Sequence, residues 1–230
     1  MKRVSVGKAS VFAVSACIVS LGVQAATENA VSLEEVVVTA QKREENLQRA
    51  AVAVTAVTGA SLERQGVVDA TALTRVVPSL QVSTSSGPIN TFYLRGVGNN
   101  VLNTFSDSAV SINVDSVYVS HVSSTGGLFF DLERVEVLKG PQGTLYGRNS
   151  TGGAINLITA KPKLGETSGN AMLEFGNYSA KKFSGALNLP MGANSALRIA
   201  GQAIDRSGYY SDGTDDDRQQ SLRLTYLYSA

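Results

Sequence analysis

The carboxy-terminal third of the chain alternates between apolar and polar positions with a period of two. In the first stretch Leu173 and Phe175 share one face, and Met172 and Glu174 lie on the other. A period of two is typical of β-strands that have two different faces. The alternation therefore predicts four strands between residues 163 and 230 and fits either a soluble sandwich or an outer-membrane barrel. The alternating stretches are residues 170–175, 183–189, 197–203 and 222–228.

The connections between these strands favour the barrel. Residues 190–195 form a short turn, whereas residues 207–219 form a longer polar connection, and bacterial barrels have short periplasmic turns and longer outer loops. Four strands cannot close a barrel, because single-chain barrels have about eight or more strands and lipid does not tolerate open edges. We therefore expect this chain to be a fragment of a longer protein.

Residues 49–162 have a different pattern, in which short apolar runs are separated by loops rich in Gly, Ser and Asn. Short helices are predicted at Ser61 to Gln65 and after Asp69, a suitable N-cap. The pattern predicts a small α+β domain, and its many small residues suggest that another part of the protein surrounds it. The predicted strands are residues 51–57, 79–82, 91–95, 110–119, 135–138 and 154–159.

The first 25 residues have the pattern of a secretory signal peptide. Three basic residues precede an uncharged apolar stretch, and Val23-Gln24-Ala25 supplies small residues for cleavage after Ala25. An anchor helix and a lipoprotein site at Cys17 remain alternatives. Cys17 is the only cysteine, so cleavage after Ala25 would exclude disulfides and cysteine-bound metals from these exported residues.

Composition argues against a nucleic-acid partner and against a membrane-spanning helix. Lys and Arg number 20 against 19 Asp and Glu, a balance that argues against nucleic-acid binding, which usually requires a strongly basic patch. No apolar stretch after the leader approaches the roughly 20 residues of a membrane helix, so any insertion into lipid would be by strands.

Two motifs resemble the TonB-dependent outer-membrane receptors. Residues 26–48 are expected to form an extended polar tail and linker whose β-branched run, Val36-Val37-Val38, lies in a segment that resembles the TonB box, Leu33 to Ala40. Residues 130–159, beginning Phe-Asp-Leu-Glu-Arg-Val-Glu-Val-Leu-Lys-Gly-Pro-Gln-Gly, resemble the closing part of that family's plug domain. The alternative for the valine run alone is an ordinary first strand of the plug.

The resemblance implies an α+β plug domain followed by the first antiparallel strands of a transmembrane barrel of about 22 strands. It implies an active importer of a scarce nutrient, such as a ferric siderophore, vitamin B12, haem or a glycan. The TonB protein would pair with Glu35, Val36, Val37, Val38 and Thr39 as an added strand, with no nucleotide or cofactor in this chain. The outer-membrane lipid would surround the strands.

The resemblance also assigns two arginines. Arg95 and Arg134 adjoin apolar strand residues, and the family's plug arginines at similar motifs pair with glutamates of the barrel wall. Those glutamates would lie beyond Ala230. The alternative is that both arginines lie on the surface.

Three other residue patterns that could suggest a phosphate, metal or catalytic site are explained without one. The glycine-rich stretch 140–147 lacks the Lys-Ser/Thr end of a phosphate-binding loop. His121, the single histidine of the sequence, has no second histidine or cysteine for a metal site, and no Ser-His-Asp assignment is compelling with it. The acidic run from Asp212 to Asp217 does not have the spacing of an EF-hand and is expected to be a solvated loop. The sequence therefore indicates no enzyme. A soluble, plug-like ligand-binding protein is the main alternative, a secreted hydrolase is remote, and the ligand is not indicated.

Overall fold

The computed structural model of the chain describes residues 37–86, 89–99, 107–121 and 125–229. The predicted leader and most of the predicted tail therefore lie outside the described residues. The described part consists of an α+β region followed by an antiparallel sheet, in agreement with the predicted order of the two patterns. No helix among the described residues is both long and apolar enough to cross a membrane.

The described residues of the α+β region form ten strands and three short helical turns. The strands are β1 (Val37–Val38), β2 (Glu45–Asn46), β3 (Val54–Thr58), β4 (Leu80–Ser86), β5 (Ile89–Leu94), β6 (Val97–Gly98), β7 (Val110–Val114), β8 (Val117–Tyr118), β9 (Leu132–Lys139) and β10 (Gly153–Thr159). The helical turns are α1 (Gly59–Arg64), a 3₁₀ turn (Ala72–Arg75) and α2 (Gly143–Tyr146).

The centre of this region is a mixed five-stranded sheet in the order β3-β9-β10-β7-β8, with β10 parallel to β7 and antiparallel to β9. Every residue of β10 is buried. Burial on both faces explains why its sequence is almost continuously apolar and small rather than alternating. The larger core lies between this sheet and the helical turns, and it includes Leu62, Leu73, Phe92 and Leu94. The carboxylate of Asp69 accepts the Ala72 N–H at 2.7 Å, although the residue at the N-cap position of the 3₁₀ turn is Thr71 and not the predicted Asp69.

The predicted strand 110–119 is wrong in one respect, because it is two strands joined by a tight turn. Asp115 and Ser116 have φ angles of +47° and +72°. Two consecutive positive φ angles are the requirement of a type I′ hairpin turn, which Asp tolerates. The Asp115 carboxylate also accepts the N–H and the Oγ1 hydrogen of Thr159, at 2.9 and 2.7 Å, which fixes the turn against the end of β10.

Four long strands follow and form one antiparallel sheet in the order β11-β12-β13-β14. One face is apolar and exposed, and on β14 it carries Leu222, Leu224 and Tyr226, whose exposures are 72%, 64% and 59%. The opposite face, called here the inner face, packs on the α+β region and buries Ala200 and Gln202. The strands are β11 (Ser168–Phe175), β12 (Lys181–Pro190), β13 (Ser195–Arg206) and β14 (Asp217–Tyr228).

The connection between the two regions is fixed by Asn188 on β12. Its side chain is fully buried; Oδ1 accepts the Lys163 N–H and Nδ2 donates to the Lys163 carbonyl, both at 2.9 Å. Nδ2 also donates to the carbonyl of Glu166. An amide side chain matches the donor and acceptor of a backbone segment, so this residue holds the linker on the first hairpin of the sheet.

Candidate functional site

The segment that carries the described part of the predicted TonB box is folded against the α+β region. Val37 and Val38 pair antiparallel with Asn46 and Glu45. Val38 and Ala40 are fully buried in a second hydrophobic cluster, which is separate from the larger core. The expectation of an extended tail as far as residue 48 is therefore wrong from Val37 onward. We call residues 37–50 the docked segment.

The docked segment is buried because the central sheet offers it an apolar surface. Val38 and Ala40 pack with Leu138 of β9 and Ala154 of β10, which are fully buried as well. Val37, whose side chain points the opposite way, stays 41% exposed. Burial of one valine side chain contributes about 1.5–3 kcal/mol, in addition to what the two-residue ladder supplies.

A buried carboxylate provides the polar part of the docking site. Glu136 of β9 is 0% exposed. Its Oε1 accepts the Thr39 N–H at 2.7 Å, the Thr39 hydroxyl at 3.1 Å and the Arg134 Nε–H at 2.8 Å. Charge-assisted bonds are stronger than neutral ones, and a buried carboxylate requires such partners. Glu136 thus joins the predicted box to one of the two predicted arginines.

Tyr146 of α2 holds the next residue of the docked segment. Its hydroxyl donates to the Ala40 carbonyl at 2.8 Å and accepts from Asn156 Nδ2 at 2.7 Å. Burial raises the pKa of Tyr146, and the nearby Glu136 raises it further, whereas the hydrogen bond from Asn156 lowers it. The phenol therefore stays protonated and able to donate at neutral pH.

The predicted site residues are only partly brought together. Thr39 and Arg134 meet at Glu136, and Val38 is buried in the second hydrophobic cluster, whereas Glu35 and Val36 lie outside the described residues.

The two arginines lie in different places. The carboxylates paired with Arg134 in the described part of the chain are Glu133 and Glu136, both on its own strand. Arg95 is exposed in the turn after β5, with a φ of +53° and no ion pair among the described residues. Pairing of either arginine with more distant barrel residues stays a prediction.

Sequence reasoning missed a second polar cluster, where the α+β region contacts the inner face of the sheet. Asp131, just before β9, is 8% exposed and accepts two hydrogen bonds from Arg198 of β13, of which the one from Nε is 2.9 Å long. Arg223 of β14 donates to the carbonyls of Phe130 and Asp131, at 2.7 and 2.8 Å. We call Asp131, Arg198 and Arg223 the clamp. The alternation could have pointed to the two arginines, since Arg198 and Arg223 both occupy the polar face of an alternating strand.

The remaining candidates have ordinary surroundings. Asp212 accepts the Thr214 N–H at 2.9 Å, and Asp215 lies 3.8 Å from Arg206. His121 is exposed. Within residues 37–86, 89–99, 107–121 and 125–229, no three His, Cys, Asp or Glu side chains are grouped so that they could hold a metal ion.

Comparison with known proteins matches residues 46–154 to the family described as TonB-dependent Receptor Plug Domain. The pesticin receptor of Yersinia pestis is 34% identical over 66% of this chain and 22% of its own length. The vitamin B12 transporter BtuB of Vibrio vulnificus is 29% identical over 86% of this chain and 31% of its own length. The chain thus spans less than a third of these relatives.

Solved structures give the same result for the fold. The ferric yersiniabactin uptake receptor FyuA from Yersinia pestis superposes with a TM-score of 0.61 and 27% identity, covering 76% of this chain and 28% of that one. The pyoverdine receptor FpvA from Pseudomonas aeruginosa gives a TM-score of 0.70 at 21% identity, covering 84% of this chain and 28% of its own. The α+β region is a plug domain, and the four-stranded sheet is part of a β-barrel wall.

Proposed function

Because this chain belongs to the TonB-dependent receptor family, we propose that it imports a scarce nutrient across the outer membrane and is energised through the box at Glu35 to Thr39. The TonB protein would pair with this segment as an added strand and pull on it. The proposed organisation is a leader removed after Ala25, a box and linker to residue 48, a plug over residues 49–162 and wall strands from residue 163.

The contacts of the docked segment carry this proposal. The Glu136 carboxylate, the Tyr146 hydroxyl and the apolar packing of Val38 on Leu138 and Ala154 hold it on the plug, whereas the two-residue ladder joins two parts of the segment itself. Val37 remains 41% exposed at its edge. Hydrogen bonds and one small apolar cluster can be broken without unfolding the buried sheet β9-β10, so the segment is suited to leave the plug when it is pulled.

The outer face of the sheet supports a membrane-inserted protein over the soluble alternative. Large apolar side chains are exposed at every second position of β14 from Leu222 onward, with Leu222 at 72% and Leu224 at 64%. Such a continuous apolar face is unfavourable in water and matches the lipid-facing side of a barrel.

The relatives support a small-molecule nutrient as the cargo. One is named as a vitamin B12 transporter and another as a ferric yersiniabactin uptake receptor. We expect a ferric siderophore or a compound of similar size, and we expect no catalytic activity. The relatives found are receptors and transporters.

The substitution Val37→Pro tests this function in the full-length receptor. Proline removes the backbone N–H and restricts the preceding residue, so pairing with TonB should weaken by roughly 5- to 150-fold if one buried hydrogen bond of about 1–3 kcal/mol is lost. Surface binding and cellular accumulation are measured with labelled ferric yersiniabactin and labelled vitamin B12. Accumulation should be lost and surface binding should be retained.

Val37→Thr is the matched control, because it keeps the β-branched shape and the N–H. It should accumulate the probe as the native receptor does. Normal accumulation by Val37→Pro would show that the box is not the coupling strand. Equal loss of binding and accumulation would show that Val37 belongs to a purely structural strand of the plug.

A further inference from the structure

One of the places where the plug contacts the wall is a short loop, residues 126–131, which leads into β9. Gly127 has a φ of +73°, and a Cβ built there would lie 2.6 Å from both Gln219 Nε2 and Ser221 Oγ. Further along, the Arg223 guanidinium lies 4.4 Å from the centre of the Phe130 ring. The loop therefore follows the inner face of β14, contacting every second residue of that strand.

The clamp ends this line of contact with three partly buried charges. Arg198 pairs in register with Thr225, so Arg198 and Arg223 are diagonal neighbours on one face of the sheet. Two guanidinium groups so close together repel each other unless a carboxylate lies between them. Asp131 supplies this carboxylate: it accepts from Arg198 and lies 3.6 Å from Arg223 Nη2.

The clamp and the docking site act on the same strand. Asp131 directly precedes β9, and Glu136, near the middle of β9, holds Thr39. A pull on the docked segment is therefore transmitted to β9, whose first end is held by the wall. The Asp131 carbonyl also accepts the Ala160 N–H, at 3.0 Å, which ties the end of β10 to the same point.

We propose that the clamp is the fixed point of the plug: it retains β9 and β10 in the barrel while the docked segment and the residues that follow are drawn away. Asp131 is then a positioning residue for transport, and this role rests on the proposed pulling by TonB. The predicted contacts between plug and wall have arginines on the plug and glutamates on the wall. In the clamp the charges are the other way round, because the carboxylate is on the plug and the arginines are on the wall.

Single-molecule pulling on the full-length receptor in a lipid bilayer tests the clamp directly. A handle is attached at a cysteine introduced by Leu33→Cys. The roughly 100 residues from Leu33 to Asp131 extend to at most about 340 Å, so the native receptor should resist strongly near that extension. In Asp131→Asn the residue still tolerates a positive φ and keeps its carbonyl contacts, but it loses the charge.

We expect Asp131→Asn to rupture at this extension roughly 10-fold or more faster than the native receptor, because breaking a buried ion pair leaves an unpaired charge. Peaks at shorter extensions should not change. Arg198→Gln should behave in the same way. Arg218→Gln is the matched control, because it removes a wall arginine that is 76% exposed, and it should match the native receptor.

Two results would overturn the proposal. An unchanged peak in both clamp variants would show that the plug is held elsewhere, and an equal weakening of all peaks would show that Asp131 only stabilises the fold. The pull comes from the handle and involves no TonB. A failure of the proposed TonB coupling, measured by probe accumulation in Val37→Pro, is therefore distinguishable from a failure of the clamp.

Discussion

The substitution Glu136→Gln should release the docked segment while leaving the plug folded. Gln has nearly the same shape and keeps an oxygen acceptor for Thr39, so the change mainly removes the negative charge. Glu136 accepts two bonds from Thr39 and one from Arg134 in a fully buried position. The perturbation is therefore confined to the strength of these three bonds.

These contacts determine how much free energy of docking the segment should lose. A hydrogen bond to a charged group contributes about 1.5–3 kcal/mol, against about 1 kcal/mol for a neutral one. Arg134 keeps the neighbouring Glu133 carboxylate as a partner, which limits the penalty for its own charge. We expect the docked segment to lose about 1–3 kcal/mol, equivalent to roughly 5- to 150-fold faster local opening.

Amide hydrogen exchange read by mass spectrometry is the assay, applied to the full-length receptor. The peptide that covers residues 37–50 should exchange faster in Glu136→Gln, while the peptide that covers β10 should not change. Glu133→Gln is the matched control: its carboxylate is 45% exposed and contributes at most about 1 kcal/mol. Unchanged exchange in Glu136→Gln, or the same increase in both variants, would refute the assigned role of Glu136.

Two further predictions concern Tyr146 and Asn188. Because the folded-state pKa of Tyr146 lies above its ordinary value of 10.0, its stabilising contribution is present below pH 10.0 and is lost as the pH rises through the folded-state pKa. Thermal unfolding followed against pH should show an alkaline loss of stability that is smaller in Tyr146→Phe; an identical loss would contradict this role. Asn188→Ala should destabilise the receptor by about 1–3 kcal/mol in thermal unfolding, because it removes the hydrogen bonds that a fully buried side chain makes to the linker backbone. Asn170→Ala, which removes one exposed bond of 3.4 Å, should change stability by less than about 0.5 kcal/mol, and an equal effect of the two would argue against the linker role.

The wall strands were predictable because the alternation that identifies them lies within each strand and needs no distant residue. A period of two assigns each side chain to a face, and the exposed Leu222 and Leu224 and the buried Ala200 and Gln202 lie on the faces that the alternation predicts. The hairpin turn at Asp115 was missed because the surrounding valines continue the strand pattern on both sides. Only the contact with Thr159, which is distant in sequence, shows why the chain turns there.

The docked segment and the clamp depend on distant pairs that a single sequence does not contain. Val38 is buried by Leu138 and Ala154, about 100 or more residues away, whereas the valine run alone fits an extended tail equally well. Asp131 likewise meets Arg198 across 67 positions. The sequence indicated which strand face is polar, but the pairing of charges across two regions required the fold.

Cross-linking in living cells tests whether the strand at Glu35 to Thr39 couples the receptor to TonB. A photoreactive residue is placed at Glu35 in the native receptor, in Val37→Thr and in Val37→Pro, and at Tyr178 in the turn after β11 as a positional control. We expect a TonB adduct from residue 35 in the native and Val37→Thr receptors, its loss in Val37→Pro, and no adduct from residue 178. Absence of the adduct from residue 35 in the native receptor, or an equal adduct in Val37→Pro, would contradict the claim that this strand couples the receptor to TonB.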